Sequence, residues 1–94
     1  MKKPNAAPRQ AAEMLAIQAL GFIAAEPQRL ADFLNASGIA ADDIRAAARE
    51  PHFLVGVLEH MLGDESLLLA FAADAGIDPA GIARARAALG WKTP

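Results

Sequence analysis

Acid–base, nucleophilic or metal chemistry in this chain would have to draw on His52, His60, Ser37, Ser66 and a scatter of carboxylates, because there is no cysteine. The two histidines stand eight residues apart. On one helix that spacing separates them by two turns and about 80° around the axis. They cannot share a metal ion as an i, i+4 pair does. His60 and Asp64 have helical spacing, but Gly63 falls between them as a helix stop. Glu59-His60 is not part of the His-Glu-x-x-His pattern of zinc proteases. Ser66 falls in a first helical turn and Ser37 beside a helix end, where hydroxyls bond to nearby backbone. The glycines occur singly, so no glycine-rich loop can cradle a phosphate. These residues predict no catalytic, metal or cofactor site and no small-molecule substrate.

Nucleic-acid recognition has one candidate, the stretch FAADAGIDPAGIARARA from Phe71 to Ala87. Ala72, Gly76, Ile82 and Ala85 follow the spacing of a bacterial helix-turn-helix, in which a small residue lets two helices cross and glycine makes the turn. The leading positions of its second helix would be Asp78, Pro79, Ala80, Ala83 and Arg84, of which only Arg84 could read a base edge or a phosphate. Arg84, Arg86, Trp91 and Lys92 make this end the most basic structured part and a candidate contact for an acidic partner. Cations near a helix C-terminus also favour the macrodipole without any partner. The formal net charge is −2, so no general attraction to nucleic acid or an anionic membrane follows.

The elements that would carry these residues are helical. Ninety-four residues suit one domain. With 24 alanines and 11 leucines against two valines, the composition favours helix over sheet. Met1–Pro8 reads as a polar, disordered tail, residues 9–91 as the helical domain, and residues 92–94 as a C-terminal tail. Glu13 and Gln18 interrupt the apolar part of the N-terminal segment, and the run Met14–Ala25 is too short to span a bilayer. A soluble, cytoplasmic protein that keeps this segment is therefore expected. Helices are predicted from about Arg9 to Ala25, Pro27 to Ser37, Asp42 (or Ala41) to Arg49, Pro51 to Leu62, Asp64 to Ala75, and Asp78-Pro79 to near Gly90. Proline opens helices here, and Gly38 and Gly76, each followed by isoleucine, close them.

Those two Gly-Ile stops belong to a longer correspondence. Shifting the chain by 38 residues aligns Leu20 with Leu58, Leu30 with Leu68, Phe33 with Phe71, Gly38 with Gly76, Ile39 with Ile77 and Ile44 with Ile82. The fold expected is all-α, a compact bundle of five to six short helices, in which the correspondence is either two related three-helix units that share one core or a coincidence between similar helix pairs.

Within that repeat, SLLLAFA (Ser66–Ala72) aligns with QRLADFL (Gln28–Leu34). Leu67 and Ala70 take the places of Arg29 and Asp32, and Leu69 replaces Ala31, so a polar face has become apolar. Leu67, Leu69 and Ala70 are thus the candidate interaction face. Two arrangements satisfy the pattern. Either the N-terminal helix or tail covers this face, or it is exposed and meets another molecule, a protein partner or a second copy in a weak homo-oligomer. The function expected is a non-enzymatic protein-interaction module acting through an apolar helix face or groove. The alternative is a helix-turn-helix-type nucleic-acid-associated protein using the Ala72–Ala85 region, which Asp78, and Asp42 and Asp43 in the first unit, disfavour.

Nearly the whole chain resembles a small helical family found in alphaproteobacteria, domain-of-unknown-function family 3572. The resemblance is carried by AEMLAIQALGFIAAEPQRLADFLNASGI (Ala12–Ile39), EPHFLVGVLEHMLGDESLLLAFAADAGIDP (Glu50–Pro79) and ALGW (Ala88–Trp91). It implies a compact helical bacterial protein of about this length, and it implies no activity, cofactor or catalytic residue.

Overall fold

Proline and glycine set the helix boundaries. The computed structural model describes residues 6–90, and among these there are helices and no strand. They are α1 (Ala6–Ala24), α2 (Pro27–Ser37), α3 (Ile44–Ala47, after a 3₁₀ turn at Ala41–Asp43), α4 (Pro51–Leu62), α5 (Glu65–Ala75) and α6 (Ala80–Leu89). The all-α expectation holds. Pro27 and Pro51 each open a helix at its first residue, where a missing N–H removes no hydrogen bond. Asp64 caps α5, its carboxylate accepting the Leu67 N–H at 3.1 Å. Asp78 does the same before α6, accepting the Ala80 N–H at 2.9 Å.

The two Gly-Ile stops are built alike. Gly38 and Gly76 have φ of 74° and 70°, the left-handed region that favours glycine. After each, the isoleucine N–H returns to the helix, Ile39 to the Leu34 carbonyl at 3.2 Å and Ile77 to the Ala72 carbonyl at 3.0 Å. Both isoleucines are half-buried against the core.

Two boundaries differ from the sequence reading. Helix α1 begins at Ala6, so the segment read as tail through Pro8 is already helical from residue 6. Pro8 is tolerated there because the first-turn N–H groups have no intrahelical acceptor. Helix α3 ends at Ala47 instead of continuing to Arg49. Arg49 and Glu50 bond back only three residues, to Ala46 and Ala47. Glu50, held extended at φ −82° and ψ 132° before Pro51, ends the helix. Residues 1–5 and 91–94, with the C-terminal tail expected at 92–94, lie outside the described residues.

The core forms where α1, α4 and α6 pack on one another, with α2 and α5 laid against its sides. On α1 the buried stripe is Ala12, Ala16, Ala19 and Ile23, at i, i+4, i+7 and i+11. Larger apolar side chains on the same helix face away from it: Met14 is 67 % exposed and Ile17 is 57 % exposed. Alanine therefore makes the contact surface of α1, and small side chains let helix axes approach closely. The buried residues Val57, Leu58 and Met61 of α4 and Ile82, Ala85 and Leu89 of α6 complete the centre.

Candidate binding groove

Helix α4 presents Phe53, Gly56 and His60 at i, i+3 and i+7, a spacing that places them on one face. Phe33 of α2 wedges against that face. Its ring lies 5.8 Å from Phe53 at 82° and 5.2 Å from His60 at 75°, both edge-to-face. Ser37, one turn along α2, donates its hydroxyl to the Phe33 carbonyl at 2.8 Å. Between these aromatic groups the α4 surface is bare, because residue 56 is glycine and a Cβ there would meet nothing within 4 Å. The result is a groove of about 550 Å³, with Phe33, Phe53, Ile39 and Ala47 among its apolar lining and Glu50, His52 and Glu59 at its polar edge.

The two units differ in their third helix. Helix α6, the counterpart of α3 in the repeat, runs ten residues and packs along α1. The four-residue α3 makes no comparable packing against α4. The early stop before Pro51 leaves Ala47, the last residue of α3, in the lining of the groove.

A second groove, of about 650 Å³, lies between α1 and α5 and is lined by Gln18, Gly21, Phe22, Phe71, Asp74 and Ala75 with Ala25, Glu26 and Arg29. In the 38-residue register those first six positions are Gly56, Glu59, His60, Phe33, Ala36 and Ser37, all of which line the first groove. The ring contacts correspond as well. Phe71 of α5 meets Phe22 of α1 at 5.4 Å, as Phe33 of α2 meets His60 of α4. The second helix of each unit therefore sets its phenylalanine ring against the first helix of the other unit. Reciprocal contacts of this kind are those of an isologous, two-fold-related pair.

The candidate interaction face of α5 divides. Leu67 is 9 % exposed and belongs to the core, whereas Leu69 is 48 % exposed and Ala70 faces solvent. Leu67 is thus covered within the chain. Of the candidate basic contacts, Arg84 is exposed, and Arg86 holds Glu59 with Nε and Nη2 each 2.9 Å from Oε2. Trp91 and Lys92 lie outside the described residues. In the Ala72–Ala85 region, α5 and α6 meet at 96°, within the range of helix-turn-helix pairs. Ile82, Ala85 and Leu89 of α6 are buried, which leaves Arg84 as the exposed cation of that helix. No three His, Asp or Glu side chains among the described residues come together as a metal ion would need. Sequence reasoning weighed His60 only for metal or acid–base chemistry and assigned no role to Phe53 or Gly56. The alignment of Phe22 with His60 beside Phe33 with Phe71 was the available signal for both grooves.

The model of one protein family, described as a protein of unknown function (DUF3572), matches residues 9–92, which takes in both three-helix units. The chain belongs to this family. No curated protein and no solved structure matches this DUF3572 chain at a significant level. Within the DUF3572 match lie both grooves and every residue that lines them.

Proposed function

We propose that this protein is a non-enzymatic interaction module that receives an apolar helix of another protein in the groove between α2 and α4. Gly56 is the observation that supports this reading most directly. Glycine inside a helix costs about 1 kcal/mol relative to alanine. A Cβ there would meet nothing within 4 Å, so no close approach of another helix requires glycine at this position. What the missing side chain provides is room beside Phe33, Phe53 and His60. The volume, about 550 Å³, falls in the range of ligand sites, and an apolar groove between two helices is the kind of surface on which i, i+3, i+4 anchors of a helix dock. The cysteine-free composition is compatible with a bacterial cytoplasmic setting, which we adopt as part of the same reading.

The test is a titration of the ¹⁵N-labelled protein with a neutral helical peptide carrying leucines at i, i+3, i+4 and i+7 and glutamine elsewhere. Shifts confined to α2, α3 and α4, and lost in Gly56→Leu, are expected. Shifts scattered over the surface, or unchanged in that variant, would overturn the reading. The 96° crossing of α5 and α6 keeps a duplex-binding alternative in view, although Asp78 at the start of α6 opposes phosphate there.

A further inference from the structure

The two grooves share their aromatic framework but differ in charge. In the α1/α5 groove the chain supplies its own cation. The Arg29 guanidinium lies 4.1 Å from the centroid of the Phe22 ring, and its Nη1 donates to the Phe22 carbonyl at 3.5 Å. Glu26 and Asp74 line the same groove. In the 38-residue register the position of Arg29 is taken in the other unit by Leu67, which turns into the core. The α2/α4 groove therefore has two carboxylates, Glu50 and Glu59, and no arginine or lysine in its lining. Arg86 binds only Oε2 of Glu59, and among the described residues no arginine or lysine pairs with Glu50.

We propose that the helix received by the α2/α4 groove is basic. An arginine or lysine of the partner enters beside His60, the half-buried counterpart of Phe22, with Glu50 and the free oxygen of Glu59 facing its charge. The external cation does in this groove what Arg29 does in the other. This inference rests on the groove being a docking site and adds the chemistry of its occupant. A guanidinium suits the position best, since it stacks on aromatic rings and binds carboxylates through a planar fork.

The experiment compares three helical peptides with the same leucine positions, flanked by glutamine, arginine or glutamate, titrated at low and at high ionic strength. Expected is binding of the arginine peptide roughly tenfold tighter than the glutamine peptide at low salt, from one cation–π contact and exposed charge pairs. The glutamate peptide should bind more weakly than either. Glu50→Gln should shrink the arginine advantage, and raising the salt should do the same. Gly56→Leu should abolish binding of all three while the thermal midpoint holds. Equal binding of the arginine and glutamine peptides would overturn the charge inference and leave the groove reading intact. Failure of every peptide to bind would overturn both, and so would binding that shifts Phe22 and Phe71 instead of Phe33 and His60.

Discussion

Phe71 on α5 lies with its ring centroid 5.4 Å from that of Phe22 on α1, and thirty-eight positions round the repeat the same two places are filled by Phe33 and His60, 5.2 Å apart. Each pair bridges the two halves of the chain. The halves are consequently not independent modules laid side by side. Each completes the other's packing, and both Phe33 and Phe71 are only 2 % exposed.

Truncating either ring should therefore be severe. Phe33→Ala and Phe71→Ala are each expected to cost about 3–5 kcal/mol, the range for buried phenylalanine. That approaches the whole stability of a domain this small. Urea unfolding of each variant checks this, with Phe33→Leu and Phe71→Leu as milder partners. A loss below about 1 kcal/mol at either site would show that the ring contact between the halves carries no weight there.

The glycines separate into two classes with opposite expected signs. Gly56 and Gly21 lie inside helices, and a Cβ at either meets nothing within 4 Å. Alanine at either position should raise stability by about 0.5–1 kcal/mol. Gly38 and Gly76 also have open space, but their φ of 74° and 70° strains any side chain. Alanine there should lower stability by about 1 kcal/mol. Thermal melts of the four variants decide it, and a uniform sign across all four would contradict the geometry.

Helix caps should be unequal in the same way. Asp64→Ala removes the carboxylate that accepts the Leu67 N–H and should cost about 1 kcal/mol. Glu26→Ala and Glu50→Ala occupy cap positions without a side-chain cap bond and should leave the denaturation midpoint almost unchanged.

Charge substitutions on α5 should divide along the line between Leu67 and Leu69. Leu67→Glu buries a carboxylate in the core and should unfold the protein or lower its midpoint drastically. Leu69→Glu, at a 48 % exposed position, should be nearly neutral. Circular dichroism melts distinguish the two. Equal tolerance of both would mean that Leu67 is not seated as described.

Duplex binding should be absent. Random-sequence duplex is expected to show no salt-dependent affinity at low ionic strength, and Arg84→Ala should change nothing. A measurable slope of affinity against salt, lost in Arg84→Ala, would revive the helix-turn-helix reading.

Helix ends were the legible part of the fold, because proline and left-handed glycine act locally and carry their geometry with them. Pro27, Gly38, Pro51, Asp64 and Gly76 all mark boundaries where the sequence placed them. Which side of α1 faces inward was not legible. Periodicity weights large side chains, yet close packing on α1 chose Ala12, Ala16 and Ala19 and turned Met14 and Ile17 outward. The groove was hidden for a different reason. It is assembled from α2 of one half and α4 of the other, with Ala47 at the end of α3 also in its lining. A reading made element by element does not see the partner helix or the groove between the two.

At the far ends of the described chain, Arg9 on α1 donates through Nη1 to the Leu89 carbonyl at the end of α6, at 2.9 Å. The first and last helices are thereby neighbours in space, the start of one held against the end of the other. Sequential order is then almost incidental to the architecture. A chain rewired to run α4–α5–α6–α1–α2–α3, with a short bridge from α6 to α1 and a cut before Pro51, would keep both aromatic pairs and both grooves. The only thing exchanged would be which half the ribosome makes first.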